Sequence, residues 1–578
     1  MFNYILFDLD NTIYNYNFSH EKGLNKLFYR INQEFGINIE DLKHNFKIGK
    51  QKFQNYCYGN ASSHNKFIQI KKLFEKYNLD LSRLNDYYRV YVDTFESTME
   101  LYPGILDFIK FCKLMKIKMY ILTNNICIEQ TEKLTKLGII NYFDKIYTSE
   151  EYGVEKPDIK LFYYIITDIG CSKDEIVKIG DSFKNDIEPL IMNDIYSFWF
   201  NPRSNLIIEK EYLEFGNYNN LLVLYQEYYS NLKNFLDISN YVGERFDLVQ
   251  AGGGNTSFKM DKLMFIKASG CSLSNLDINK NYVGINFINV KKDLYKINDV
   301  NKKVRESQSK ELVNDNIIFL KNYRPSIETT LHCITKKYTV HIHPIQFNYI
   351  SSLSNCDSIL KEIFVEQYCL IDYFTPGIDV TKELIKYYGD EKVIFLKNHG
   401  IVITGDNIEE VYNSLNNVIN KLEDYLKINF SRYKLVNYIS KCLKSVTNGK
   451  IITYLSENED INKFINNIHD DIDDYFRCFF PDKVVYCGIS YVFFTYKNMK
   501  KKINEYLQKY MELPKILILR GDIKNYLYIS SNNLNKCREI EQVLLSHIIC
   551  YKNNNIFLDE DEIKYLNNWE AEKYRQIN

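Results

Sequence analysis

Tyr4-Ile5-Leu6-Phe7-Asp8-Leu9-Asp10-Asn11-Thr12 decides how the first part of this chain folds. The run Tyr4–Leu9 is short and apolar and ends in acidic residues, so it reads as a buried strand. Asp8 and Asp10 stand two residues apart at its carboxyl end. Residues i and i+2 share a side of a strand, and open α/β sheets bind ligands in the crevice at that end. An aspartate there can attack phosphorus, giving an aspartyl-phosphate, while the second carboxylate protonates the leaving oxygen and then activates water. Taken alone, D-x-D-x-T fits an acidic turn or a plain metal site equally well.

Outward from this stretch, about Ser19 to Glu100 is helical in pattern and charge-rich, with almost no Pro or Gly. Strand-like runs then alternate with helical ones: Met119–Leu122, Lys145–Thr148, Ile176–Ile179 and Ser197–Phe200. That alternation predicts a parallel sheet with helices on both faces. Three further groups follow in order. Thr123-Asn124-Asn125 ends a strand with a hydroxyl suited to a phosphate oxygen. Glu155-Lys156-Pro157-Asp158 supplies a cation to offset charge on a trigonal-bipyramidal intermediate. Gly180-Asp181-Ser182-Phe183-Lys184-Asn185-Asp186 ends another strand with carboxylates suited to Mg²⁺, a hard ion that prefers oxygen ligands.

Over about residues 1–228 these four motifs resemble the haloacid dehalogenase superfamily. The resemblance implies Asp8 as nucleophile, Asp10 as general acid/base, and Thr123, Asn124 and Lys156 as phosphate binders. It places Mg²⁺ on Asp8 and Asp181, with Asp10 and Asp186 completing or supporting the carboxylate set. The helical insert, about residues 15–100, looks like the family's C1-type cap, which marks small phosphorylated metabolites as substrates.

The first unit is expected to close near Tyr228, its helix ending at Ser230 and Asn231, and a second to open at about 236. Its chemistry gathers at His341-Ile342-His343, which puts two imidazoles on one face of a strand at metal-ligand spacing. Asn398-His399-Gly400 follows a second apolar strand, Val393–Leu396, and offers a third. Three nitrogens plus an open position describe a catalytic rather than a structural zinc site. H-x-H alone is often surface decoration, but the chain has only nine histidines. His332, on a helix, reads as packing or as support for another ligand. Arg324-Pro325-Ser326-Ile327-Glu328-Thr329-Thr330 begins a helix with a hydroxyl before a carboxylate, which a simple cap would also explain. Gly252-Gly253-Gly254-Asn255-Thr256-Ser257 and Lys267-Ala268-Ser269-Gly270 are turns dense in donors that can cradle phosphate or close plain hairpins.

Together, over about residues 236–430, these resemble the class II aldolase/adducin family, and more narrowly its rhamnulose-phosphate-aldolase-like branch. The likeness implies Zn²⁺ on His341, His343 and His399, Glu328 as acid/base, and Asn255, Ser269, Gly270 and Ser326 around the substrate phosphate. It also implies a second acid, usually a tyrosine from a neighbouring subunit, and so a homo-oligomer, most simply a tetramer. Within one chain the competing donor is Tyr574 or Arg575. Phe480–Tyr486 and Trp569–Arg575 resemble the C-terminal extension of that branch. The expected layout is an α/β chain: a doubly wound parallel-sheet domain with a helical cap over 1–230, an α/β aldolase-like domain over 236–430, and an α/β extension over 431–578.

Bulk properties fit that layout. The chain has 578 residues, room for about three or four domains. Lys+Arg 73 nearly cancels Asp+Glu 74, so no global field recommends nucleic acid or an anionic membrane as partner. Thirteen scattered cysteines without C-x-x-C pairs indicate reduced thiols. No apolar run reaches spanning length, and a cytoplasmic enzyme is expected. The expected function is bifunctional: a phosphatase plus a zinc lyase acting on phosphorylated sugars. A pentulose-phosphate 4-epimerase, a sugar-phosphate dehydratase, or a non-catalytic scaffold are the competing readings.

Overall fold

The computed structural model describes residues 2–365, 368–447, 449–467, 476–551 and 556–568. Three sheets organise it. The first holds β1 (Tyr4–Phe7), β2 (Lys118–Thr123), β3 (Lys145–Thr148), β4 (Ile176–Gly180), β5 (Ser197–Phe200), β6 (Ile207–Ile208) and β7 (Tyr212–Phe215), in the order β3-β2-β1-β4-β5-β7-β6. All its pairings are parallel except β6 with β7. The strand order reverses beside β1, so the crevice opens where Asp8 leaves the sheet. Helices Tyr16–Phe35, Ile39–Tyr56, Lys66–Lys76 and Leu84–Ser97 form the insert after β1.

The second sheet holds β8 (Asn255–Met260), β9 (Leu263–Lys267), β10 (Tyr282–Asn286), β11 (Ile317–Phe319), β12 (Tyr338–Ile342), β13 (Cys369–Ile371), β14 (Val393–Leu396) and β15 (Gly400–Gly405). Its order is β11-β10-β9-β8-β12-β15-β14-β13, antiparallel except for the β13–β14 edge. A third sheet, β16 (Ile452–Leu455), β17 (Val492–Phe494), β18 (Ile516–Leu519) and β19 (Tyr526–Ser531), runs β16-β19-β18-β17 with its own apolar cores.

The join between the first two units differs from the sequence expectation. The helix does not stop at Ser230: it runs unbroken from Tyr218 to Gly243, through residues 231–235. Its apolar residues recur on two sides, and each side has a partner. Tyr225 packs edge-on to Phe108 of the first unit, and Phe235 packs on Phe258 of β8. One continuous apolar cluster therefore extends from Phe2 to Leu422. A helix buried on both sides is held by both units, which is why polar Ser230 and Asn231 do not end it. Among the described residues no helix is long and apolar enough to cross a membrane, and all thirteen cysteines are free. The Trp569–Arg575 motif, with Tyr574 and Arg575, lies outside the described residues.

Candidate active sites

At the first site Asp8 leaves β1 with its N–H donating to the Ile179 carbonyl at 2.8 Å. Lys156 Nζ bridges two carboxylates, 2.6 Å from Asp8 Oδ1 and 2.7 Å from Asp186 Oδ1. Thr12 Oγ1 lies 3.3 Å from Asp8 Oδ2 and 3.2 Å from Asp181 Oδ1, and accepts the Asp181 N–H at 3.0 Å. Oxygens of Asp8, Asp181 and Asp186 converge within 4.8 Å. Gly180 is required for this approach, since a Cβ there would stand 2.4 Å from the Asp186 side chain.

Crowding three carboxylates has an electrostatic consequence. Burial, and then the neighbouring Asp8 and Asp186, push Asp181 up to about 7. Burial also raises Asp8, against the pull of Lys156. Burial would raise Asp186 too, but Lys156 and Lys178 together hold it below the usual range. An oxygen-only donor set that repels itself this strongly fits a hard divalent cation such as Mg²⁺.

Asp10 is not in that group of oxygens. Its carboxylate accepts from Lys133 Nζ at 2.9 and 3.0 Å, from Tyr14 Oη at 2.6 Å and from Gln130 at 3.3 Å. The expected Asp10 side-chain ligand is therefore turned to a different partner, because a buried lysine claims it. Thr123 Oγ1 accepts from Gln130 at 2.6 Å, next to Asp10. Asn124 pairs twice with the Lys156 backbone, at 2.9 Å each way, so it positions the lysine.

Two buried cations that pair with these carboxylates were not singled out by sequence reasoning. Lys133 is one; Lys178, 1% exposed and 3.5 Å from Asp186, is the other. Burial and then Lys156 bring Lys178 down to about 8. The signal for Lys178 was a lysine inside the apolar run Ile176–Ile179. The insert closes over the crevice, where Tyr16, Lys66, Tyr91, Phe95, Glu129 and Lys133 line a cavity of about 40 Å³. His64 of the insert reaches Glu155, beside Lys156, at 3.1 Å.

The second site stands at one end of the second sheet. His341 on β12 is in register with Asn255 on β8 and Val402 on β15. His343 lies just past β12, its N–H donating to the Leu248 carbonyl at 2.9 Å. His399 occupies the turn between β14 and β15, its N–H donating to the Leu396 carbonyl at 3.1 Å. Ring centroids are 4.8 to 5.3 Å apart. Gly400 permits this, since a Cβ there would meet the Ile342 carbonyl at 2.4 Å and the His343 ring at 2.7 Å.

Glu328 faces the imidazoles, its Oε2 2.9 Å from His341 Nδ1 and its Oε1 3.3 Å from His399 Nε2. Burial would raise this carboxyl, but His341 and His399 hold it well below the usual carboxylate range. Burial, then His341, lowers His343 to about 3, so its ring is neutral, as a metal ligand must be. His341 Nε2, His343 Nε2 and His399 Nδ1 are buried without a hydrogen-bond partner among the described residues. Orphaned buried nitrogens are costly, and three imidazoles that bring one ring nitrogen each within 4.8 Å of the others fit Zn²⁺ by number and type.

The donor turns share that end of the sheet. Ala268 bridges to Pro325, and Ser269 N–H donates to the Arg324 carbonyl at 2.8 Å. Ser326 Oγ accepts from Glu328 N–H at 3.2 Å. Asn255 Oδ1 accepts from Thr256 N–H at 2.9 Å, and Gly270, at φ +82°, has open space where a side chain would be. His332 is fully buried, with Nδ1 2.8 Å from Ser257 Oγ. Sequence reasoning missed the buried Arg245–Asp247 pair, joined by two hydrogen bonds; carbonyls of Asp247 and Leu248 hold the backbone at Ile345 and His343.

Residues 5–189 match the haloacid dehalogenase-like hydrolase family, and residues 235–426 match the class II aldolase and adducin N-terminal domain. The chain joins these two families. Its hydrolase part is 31% identical over 194 residues to the glyceraldehyde 3-phosphate phosphatase of Methanocaldococcus jannaschii, covering 32% of this chain and 78% of that protein. It is 29% identical to the ribulose-1,5-bisphosphate 5-phosphatase of Halopiger xanaduensis, covering 32% of this chain and 78% of that protein. The class II aldolase part is similar to the N-terminal class II aldolase domain of a Thermoplasma acidophilum protein. Identity is 22%, coverage 33% of this chain and 92% of that one, and TM-score 0.30. Both halves are enzyme-type domains.

Proposed function

We propose that the chain is a bifunctional enzyme of phosphorylated-sugar metabolism, a Mg²⁺-dependent phosphomonoesterase joined to a Zn²⁺-dependent lyase of a ketose phosphate. The observation that carries the reading is that each half keeps its metal-ligating and proton-carrying groups clustered. The first keeps Asp8, Asp10, Lys156, Asp181 and Asp186 around one crevice, and the second keeps three clustered imidazoles beside Glu328, each with one buried nitrogen that has no partner among the described residues. A scaffold would be free to lose them.

In the phosphatase, an Asp8 oxygen attacks phosphorus and the ester oxygen leaves with a proton supplied through Asp10. Water then attacks the aspartyl-phosphate, giving its proton to Asp10, and inorganic phosphate departs. Lys156 and Thr123 hold the phosphoryl oxygens, with Asn124 fixing Lys156. Mg²⁺, held by Asp8, Asp181 and Asp186, would offset the substrate's negative charge. The two phosphatases named above act on phosphorylated metabolites of three and five carbons, so a small sugar phosphate is the substrate class this half is read to take.

In the second half, His341, His343 and His399 would hold Zn²⁺, which when bound supplies a Lewis acid to a carbonyl oxygen. Glu328 carries the proton to or from the carbon beside that carbonyl. Asn255, Ser269, Gly270 and Ser326 receive the phosphate with backbone and hydroxyl donors. The opposite end of the breaking bond needs a second acid, and a neighbouring copy in a homo-oligomer, most simply a tetramer, would supply it. The reduced thiols fit a cytoplasmic setting. Incubation with dihydroxyacetone phosphate and an aldehyde panel tests the lyase reading. A new ketose phosphate is expected; interconversion of pentulose phosphates or loss of water instead would make it an epimerase or a dehydratase.

A further inference from the structure

Beside the second site lies a cleft distinct from the imidazole cluster. It has a volume of about 560 Å³ and lies between helix Lys302–Asp315, the segment Arg324–Ile327 and the segment Thr375–Ile378. Ser326, two residues before Glu328, is part of its wall. A volume of this size holds a whole small ligand, far more than one phosphate group.

Its chemistry is one-sided. The helix turns Lys303, Ser307, Lys310 and Asn314 toward the cleft, a stripe at helical spacing made of hydrogen-bond donors. Arg324 adds a guanidinium from the facing segment, and Glu306 is the single carboxylate in the lining. Three cations against one anion leave a net charge of +2. Lys303, Lys310 and Arg324 make no ion pair among the described residues, so their charge is not spent inside the fold. Elsewhere on the same helix the charges are used. Arg305 grips Asp379 at 2.9 and 3.1 Å, and Lys302 donates to Thr375 at 2.6 Å. Those bonds tie the helix to the opposite wall and set the cleft's width before any ligand arrives.

We propose that this cleft is a second anion subsite, and that the second half takes a ketose carrying two phosphate groups. It rests on the reading of that half as a ketose-phosphate lyase. One phosphate meets the donor turns around Ser269 and Gly270, and the other meets Arg324 and Lys310. A net +2 matches a phosphate dianion better than a carboxylate, and a guanidinium can bind two phosphate oxygens at once.

Fructose 1-phosphate and fructose 1,6-bisphosphate differ only by the distal phosphate, and calorimetric titration of each into the full chain tests the proposal. Asp8→Asn is used throughout so that neither probe is hydrolysed. The bisphosphate is expected to bind about tenfold more tightly. Adding Arg324→Ala and Lys310→Ala should erase that preference, with fructose 1-phosphate affinity changed less than about twofold. Arg324→Lys with Lys310→Arg should keep most of it, which separates charge from loss of folding. Equal binding of the two probes, or a preference that survives the double alanine variant, overturns the subsite. Cleavage of fructose 1-phosphate is scored separately. Preferential binding without cleavage leaves the subsite standing and sinks the lyase reading; cleavage without preference does the reverse.

Discussion

Tyr228, on the helix that closes the first sheet, shares a 2.8 Å hydroxyl–hydroxyl hydrogen bond with Tyr282 of the second sheet. Its ring also packs 5.0 Å from Phe265. The helix Tyr218–Gly243 thus packs against both units, and a fragment starting at residue 236 would keep only its C-terminal end, without Tyr228. That fragment is expected to melt well below one starting at residue 216, by 10 °C or about that much. Circular dichroism melts of the two fragments check it. Equal melting temperatures would show that the shared helix contributes little.

Asp10 gives a second expectation. Lys133 and Tyr14 fix its carboxylate away from the other three acids. Lys133→Met is expected to lower kcat for phosphate release by about 10²-fold or more while leaving metal affinity nearly unchanged. The check is turnover measured against Mg²⁺ concentration. A variant with normal kcat and a raised Mg²⁺ requirement would return Asp10 to the metal set.

How much of this was legible beforehand depends on the kind of signal. The strands β1 to β5 of the first sheet and the acids that follow them could be read, because apolar runs ending in charge are local; the short edge pair β6 and β7 carries no such signal. The two pieces of the imidazole cluster could be read because strand alternation puts His341 and His343 together. The shared helix could not, since Ser230 and Asn231 look like an ending when neither flanking core is known. Nor could the Asp10–Lys133 pair, whose partners are 123 residues apart. The Arg245–Asp247 pair was hidden for a related reason: its value is the backbone it braces under His343, a contact made across the fold.

The two sites should take different metals. Carboxylates alone suit Mg²⁺ and imidazoles suit Zn²⁺. After chelation, Mg²⁺ should restore only phosphate release and Zn²⁺ only lyase turnover. His341→Ala should bring bound zinc, measured by mass spectrometry, to below about a tenth of the unmutated level. Zinc retained at one equivalent would break the proposed ligand set.

Glu244 gives a pH expectation that involves neither set of catalytic groups directly. Burial pushes its carboxyl up to about 7 from the ordinary 4.5, against Lys444 and hydrogen bonds from Ser440 and Asn437. A raised carboxyl pKa favours the protonated folded state, so its stability is full below 4.5 and is lost as pH rises through 7. Glu244→Gln should therefore raise Tm at pH 8 by about 2–4 °C and change it little at pH 4.5. Calorimetric scans at both values decide it; an equal shift at both would remove ionisation as the cause.

The claim that one chain holds two separate catalytic sites is tested most directly by one crossed assay. Asp8→Asn and Glu328→Gln are each given a ketose phosphate that the unmutated chain cleaves, and inorganic phosphate and the carbonyl product are measured in the same tubes. The account predicts that Asp8→Asn abolishes phosphate release and keeps lyase turnover within about twofold, while Glu328→Gln lowers lyase turnover by about 10²-fold or more and spares phosphate release. Loss of both activities in either variant, or a Glu328→Gln lyase as fast as the original, would contradict it.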